Sequence, residues 1–324
     1  MKWLGRILLG VVLLLLGGYL FLRTPDTDPA AMRAKYGGQP SQFVELAGGL
    51  KVHVRDEGPR DAPVIVLLHG SNDDLHTWDR WAAQLSIGYR VIRFDQIGHG
   101  LTGPAPNGDY SPKAFVDTID QVTSQLGVTH FVLAGNSMGG ANALHYALAH
   151  GDKLAALVLL DAGGGPPLSK EPGNIGFKIA RTPVLNKLML TITPRRLIEQ
   201  SLRQSVWNQA IVTPATVDRF WELLRYPGNR QATIDRFGRG WFTFDPAQLG
   251  TLKMPVLVMW GAHDSLIAPA TAQWFGKSIP GSTVIVYPDS GHMPQQEVAQ
   301  RSADDLSGWL SAKFALYEVP AKPG

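Results

Sequence analysis

Phe131-Val132-Leu133-Ala134, then Gly135-Asn136-Ser137-Met138-Gly139, then a segment from Gly140 to His150 that reads as helix: this stretch decides the fold of the 324-residue chain. The apolar run reads as a buried strand. Two glycines bracket a serine where the strand gives way to the helix. Side chains at either glycine would clash with the crossing helix and strand, and the serine between them sits on a strained turn. A serine between glycines is in general more often a simple turn than a reactive centre. Here the strand before it and the helix after it make Ser137 a candidate nucleophile.

A serine hydroxyl is a weak nucleophile at neutral pH. It needs a base, and the base needs an orienting acid. Downstream, Met254-Pro255-Val256-Leu257-Val258-Met259-Trp260 reads as a buried strand and runs into Gly261-Ala262-His263-Asp264. Thr283-Val284-Ile285-Val286-Tyr287 is a further strand, followed by Asp289-Ser290-Gly291-His292. Ser137, Asp264 and His292 thus each follow a strand, in that chain order.

The order Ser, Asp, His on a strand–turn–helix framework resembles the α/β-hydrolase superfamily, over about residues 41–317. Val64-Ile65-Val66-Leu67-Leu68-His69-Gly70 looks like that superfamily's third strand and its His-Gly oxyanion turn. Phe94-Asp95-Gln96-Ile97-Gly98-His99-Gly100 looks like its Asp-x-x-Gly-His-Gly turn. The resemblance implies a mostly parallel eight-stranded sheet with helices on both faces and a helical cap inserted after the sixth strand. It implies Ser137 as nucleophile, Asp264 as acid and His292 as base, with Gly135 and Gly139 shaping the elbow. By position, the oxyanion donors are the backbone N–H groups of Ser71 and Met138, aimed at the oxygen that turns negative in a tetrahedral intermediate.

Other histidines and acids compete for these roles. His69 and His99 sit in tight turns, which leave backbone groups needing partners, and both read as structural hydrogen-bonders. His263 neighbours the proposed acid but lies one residue off the motif. Asp161 ends the strand Leu157-Val158-Leu159-Leu160, where some members of the superfamily place their acid. The Gly-x-x-Asp turn favours Asp264.

Composition sets limits. A hydrophobic content of 44% with 18% charged residues is that of a globular protein with an added apolar segment. The chain has no cysteine, which excludes disulfides, a thiol nucleophile and cysteine-ligated metal sites. No cluster of His and acids suggests a metal, and neither a cofactor, a nucleic acid nor an obligate protein partner is expected.

The added segment is N-terminal. Ile7 to Leu22 carries no charge; Trp3 and Leu4 extend it, and Lys2, Arg6 and Arg23 flank it. A spanning helix needs roughly 17–25 mostly apolar residues. The core of a cleaved signal peptide is roughly 7–15 residues long and ends in a small-residue cleavage site. Arg23-Thr24-Pro25-Asp26 offers no such site, so residues 1–23 are expected to be an uncleaved membrane anchor and residues 24–40 a polar linker. Basic residues lie on both sides of the span, but a large following domain translocates largely regardless of such charges. The catalytic domain is then expected outside the cytoplasm, in the periplasm of a bacterium.

The rest divides into a first core part (41–164), a cap (165–249), a second core part (250–317) and a tail (318–324). Gln42–Leu46 and Leu50–Arg55 read as an antiparallel pair joined by Gly48-Gly49. Asp74–Leu85, with Leu75, Trp78, Trp81 and Leu85, has helical spacing, as does the segment begun by Ser111-Pro112, with Phe115, Ile119, Val122 and Leu126. Short apolar strands alternating with helices imply a mainly parallel sheet covered on both faces.

Between Gly163 and Leu249 the alternation stops. Thr182-Pro183, Thr193-Pro194 and Thr213-Pro214 each read as a helix cap followed by proline at the first helical position. They predict four or five short helices. The segment carries the aromatics Trp207, Phe220, Trp221, Phe237, Trp241, Phe242 and Phe244, mostly for packing, with one or two left to line an acyl pocket. It is also basic, with twelve Lys and Arg against six acids between Gly165 and Leu249. Such a face is either a solvated helical surface or one that meets anionic lipid or an anionic substrate.

A serine at position 137 argues against haloalkane dehalogenases and epoxide hydrolases, which use Asp there. Acyl transfer to water remains: ester, lactone, thioester or amide hydrolysis. Gly135 to Ala141 is similar to the elbow of meta-cleavage-product hydrolases, which cleave carbon–carbon bonds, and Asp161-Ala162-Gly163-Gly164 also has a counterpart there. Those enzymes typically carry Trp after the catalytic His, where this chain has Met293, and they are soluble. The expectation is therefore a membrane-anchored hydrolase of a small acyl ester, lipid-like or anionic. A C–C hydrolase is the alternative, and an inert binding protein on the same fold is the alternative of a different class.

Overall fold

The computed structural model describes residues 2–168, 174–240 and 242–314. Trp241 and the tail 318–324 lie outside them, as do the last residues of the second core part. Eight strands form one sheet: β1 Ser41–Glu45, β2 Lys51–Glu57, β3 Val64–Leu68, β4 Arg90–Phe94, β5 Phe131–Asn136, β6 Leu154–Leu160, β7 Val256–Gly261 and β8 Thr283–Tyr287. Their order across the sheet is β1-β2-β4-β3-β5-β6-β7-β8. β2 runs antiparallel to both β1 and β4, and every later pairing is parallel. The β1–β2 connection is tight because Gly48 and Gly49 adopt φ of 88° and 81°, values open to glycine at little steric cost.

The central strands β3, β5, β6 and β7 are apolar on both faces because both are covered. Val66 and Leu68 of β3 point into one core, and Ile65 and Leu67 into the other. The first core is closed by α4 (Pro112–Gln125), α5 (Met138–His150) and α12 (Ala270–Ser278). The second is closed by α3 (Asp79–Leu85) and α14 (Ala299–Lys313), with Trp78 and Trp81 fully buried in it. The helix expected over Asp74–Leu85 is split. Leu75–Trp78 is a 3₁₀ turn capped by Asp74, and the α-helix starts only at Asp79.

The cap follows β6. It holds five α-helices: α6 Ile175–Arg181, α7 Leu185–Met189, α8 Arg195–Ser205, α9 Pro214–Leu224 and α10 Asn229–Gly238. A 3₁₀ turn at Gln209–Ile211 and the single-turn α11, Pro246–Leu249, complete it. Of the three Thr-Pro pairs only Thr213-Pro214 caps a helix, the Thr213 hydroxyl accepting from the Thr216 N–H. The Thr182 and Thr193 hydroxyls instead donate backwards, to the carbonyls of Lys178 and Met189. They close the preceding helical turns.

Two N-terminal helices precede the sheet: α1 (Lys2–Leu22) and α2 (Pro29–Tyr36). The apolar side chains of α1, such as Leu4, Leu13 and Phe21, are exposed. The stretch Trp3–Leu22 is long and apolar enough to cross a membrane. Residues 24–40, read as a linker, are ordered against the cap. Thr24 N–H donates to the Thr191 carbonyl, Thr27 N–H donates to the Arg225 carbonyl, and Arg230 pairs with Asp26 at 2.6 Å. The segment is thus a strap laid across the helices that roof the site.

Candidate active site

Ser137 occupies the turn between β5 and α5 with φ 55° and ψ −118°, a backbone conformation that a non-glycine residue rarely holds. The turn is this tight because its neighbours have no side chains. A Cβ on Gly135 would lie 2.3 Å from the Gly139 carbonyl oxygen, and one on Gly139 would lie 2.3 Å from that of Leu68. The strain is held by backbone bonds on either side: Ser137 N–H donates to the Leu160 carbonyl, and Gly163 N–H donates to the Ser137 carbonyl.

His292 follows β8 and Asp264 follows β7, and the structure brings them together. The Asp264 Oδ2 lies 2.7 Å from His292 Nδ1, both side chains buried. The other carboxylate oxygen accepts the N–H groups of Leu266 and Ile267, which fixes the ring of acceptors around the histidine. Asn136, beside the serine, donates from Nδ2 to the His292 carbonyl and to the Leu160 carbonyl. Serine turn and histidine loop are thereby joined. His292 and Ser137 line one cavity.

Asp161 sits directly behind this pair. One atom each from Asp161, Asp264 and His292 falls within 4.8 Å of the others. Asp161 Oδ1 accepts the Gly261 N–H at 2.9 Å. Burial, and then the neighbouring Asp264 carboxylate, push its pKa well above the usual range. Two carboxylates this close in a dry site do not both ionise. Of the two, it is Asp161 whose protonated form these surroundings favour.

Ser71 and Met138 also come together, the Ser71 hydroxyl lying 3.3 Å from the Met138 sulfur. Gly70 passes so close to the serine that a Cβ on it would lie 3.2 Å from the Ser137 Cβ. Met138 is the first residue of α5, so its N–H has no partner inside the helix and points from the positive end of the helix dipole. The turn after Gly70 is held from the cap side. Asn72, at φ 58°, accepts from the Thr233 hydroxyl and from Arg236.

His69 is a structural bonder. Its Nε2 accepts the Gln96 N–H, its Nδ1 donates to the Gly70 carbonyl, and burial lowers its pKa so that it stays neutral. His99 is buried as well and donates from Nδ1 to the Ile97 carbonyl. His263 is turned outward and stacks on the exposed Trp207 ring, 3.6 Å between centroids.

The cavity above Ser137 encloses about 80 Å³ and is roofed by apolar cap side chains, among them Phe177, Met189, Ile198, Leu202 and Phe220. Among the described residues its lining includes no Lys or Arg. The basic character of the cap goes elsewhere. Arg219 pairs with Asp74 of the core, Arg195 with Asp218 and Arg203 with Glu199.

Three residues near the site carry no mark that singles them out in the sequence. Asn136 is visible only as the variable position of the Gly-x-Ser turn. Asp73 lines the cavity, and burial together with the charge of Asp74 pushes its pKa up to about 8. Glu297 lies five residues beyond His292 and reaches its loop through backbone bonds.

A sequence profile of the alpha/beta hydrolase fold matches residues 63–297. A 2-hydroxy-6-oxononadienedioate/2-hydroxy-6-oxononatrienedioate hydrolase of Klebsiella pneumoniae is 27% identical over 275 residues, 80% of this chain and 91% of that one. Lipase 1 of Psychrobacter immobilis is 25% identical over 288 residues, 82% of each chain. Among solved structures, a bacterial membrane phospholipase A superposes with a TM-score of 0.73 at 23% identity, covering 96% of this chain and 99% of that one. A strained serine turn on a mostly parallel sheet, an Asp–His pair beyond the next two strands and a profile spanning both halves of the core lead to one statement: the chain belongs to the alpha/beta hydrolase family.

Proposed function

We propose that the protein is a membrane-anchored serine hydrolase that cleaves carboxylic esters through an acyl-enzyme. His292 takes the proton of Ser137 as the Oγ attacks the ester carbonyl, and Asp264 holds the imidazole in the right tautomer and stabilises the imidazolium. The backbone N–H groups of Ser71 and Met138 receive the oxyanion. His292 then protonates the departing alcohol. A water molecule, activated by the same histidine, releases the acid and restores Ser137.

The observation that carries this reading is Ser137 on its strained turn, sharing one apolar cavity with a buried His292–Asp264 pair. The cavity also weighs between substrates. A ring-fission dienoate is an anion. With no Lys or Arg in the described lining, the site favours a neutral acyl group over an anionic one. This supports ester cleavage over C–C cleavage. α1 would hold the domain at a membrane, outside the cytoplasm. The membrane phospholipase alignment covers 96% of this chain, a share that reaches into α1, and it supports a lipid-like ester as the natural substrate. The deciding experiment is turnover of aryl esters of increasing acyl length beside one ring-fission dienoate. Ester turnover with an inert dienoate is expected. The reverse would make the protein a C–C hydrolase.

A further inference from the structure

Glu297 is 7% exposed in relative terms and has no basic side chain as partner among the described residues; its carboxylate binds four backbone N–H groups instead. Oε1 accepts from Gly291 at 3.0 Å and from Met293 at 3.1 Å, the residues on either side of His292. Oε2 accepts from Trp207 at 2.7 Å and Asn208 at 2.8 Å, in the cap segment that follows α8. A single carboxylate, at the end of α13 (Pro294–Glu297), therefore ties the histidine loop to the cap. Carboxylate bonds to backbone N–H are among the stronger hydrogen bonds, and two of the four, those to Gly291 and Met293, are buried.

Two further observations point the same way. His292 N–H itself donates to the carbonyl of Ser205, the last residue of α8. A Cβ on Gly291 would lie 2.7 Å from the Trp207 nitrogen, so loop and cap segment approach to backbone contact. The histidine loop is thus held on its cap side as firmly as Asn136 holds it on the serine side.

We propose that Glu297 is a positioning residue that locks the His292 loop to the cap, so that seating the cap and aligning the base are one event. This rests on His292 being the base. Cap helices that shift to admit a substrate would carry the Trp207–Asn208 segment with them. The histidine would regain its alignment only when the cap closes again.

The test uses the full-length protein with Glu297→Gln. The amide keeps the shape but faces two of the four N–H donors with its own NH₂. Steady-state turnover of a small neutral aryl ester and the rate of fluorophosphonate labelling are measured below the melting temperature. A misaligned base costs on the order of 10²-fold in kcat and in labelling rate, while KM changes by less than about two-fold. Arg80→Gln, which removes a bond to the Gln296 carbonyl on the same short helix, leaves kcat unchanged. Should Glu297→Gln fail to fold, Glu297→Asp keeps the charge, falls short of the four donors and gives the same kcat loss. A full kcat with only a lowered melting temperature overturns the proposal, and so does an equal loss in Arg80→Gln. Retained turnover in Ser137→Ala removes the base assignment itself, a failure read from a different variant.

Discussion

Asp264 and Asp161 follow the neighbouring strands β7 and β6 with their carboxyl groups converging, yet only Asp264 bonds His292, at 2.7 Å, while Asp161 bonds the Gly261 N–H. The two acids that the sequence leaves in competition therefore have different duties. Asp264 is the partner of the His292 ring. Asp161, its pKa raised by burial and by the neighbouring carboxylate, braces the end of β7, the strand that delivers Asp264.

Asp264→Asn is accordingly expected to keep the fold and lose about 10⁴-fold in kcat, because the amide favours the wrong imidazole tautomer. Asp161→Asn should stay within about ten-fold of wild type, since an amide oxygen still accepts the Gly261 N–H and no charge is removed. Steady-state kinetics on one ester decides it. A silent Asp264→Asn beside a dead Asp161→Asn would move the acid to β6.

Asp73 gives a pH signature. Its pKa is pushed up to about 8 by burial and by Asp74, against an ordinary carboxylate value near 4. Between those values the folded state binds more protons than the unfolded state, so stability falls as pH rises. Asp73 supplies stability that is complete below about pH 4 and progressively lost toward pH 8. Asp73→Asn removes this dependence. Thermal unfolding from pH 5 to 9 should show the variant gaining on wild type up to about pH 8 and running parallel above it. Parallel curves throughout would contradict the assignment.

The strap makes truncations unequal. A protein beginning at Thr24 keeps the bonds to Thr191 and Arg225 and the pairing of Asp26 with the buried Arg230. It should be soluble and active on small esters. A protein beginning at Gln42 loses these contacts, the buried Met32 and the Ser41 hydroxyl that bonds His53. It also leaves the buried Arg230 guanidinium without the half-exposed Asp26 carboxylate that pairs with it. Its melting temperature should be markedly lower, and equal melting temperatures for the two proteins would show the strap to be dispensable.

Cavity size should set acyl-chain preference. Ile198 lines the cavity from α8 and is only partly buried, so Ile198→Ala enlarges the space at modest cost to the fold. Each added methylene that finds apolar room is worth roughly 0.8 kcal/mol. The optimum in kcat/KM across an acyl series should move to longer chains. An unchanged profile would place the acyl group elsewhere.

What the sequence reveals and what it conceals divide along physical lines. The β5–Ser137–α5 turn is local: two glycines, a strand and a helix adjacent in the chain determine it, and the observed elements match to within two residues. The cap is not local. Thr182 and Thr193 look like caps but close preceding turns, because a Thr-Pro pair does not say which side its hydroxyl serves. The count of basic residues suggested a charged surface. Lys178, Arg181, Lys187, Arg196, Arg203 and Arg239 are exposed as that count implies, whereas Arg219 and Arg230 are held in pairs with Asp74 and Asp26, partners 145 and 204 residues away. Glu297 escaped notice for the same reason, since two of its four donors come from the cap, about ninety residues earlier.

The central claim is that Ser137 is the reacting nucleophile, and one measurement tests it most directly: fluorophosphonate labelling and ester turnover of wild type and Ser137→Ala side by side, at matched melting temperature. Wild type should label once per chain and turn over. The variant should do neither, with kcat down by on the order of 10⁴–10⁶. Labelling, or more than about a few per cent of wild-type turnover, in the folded Ser137→Ala protein would contradict the account.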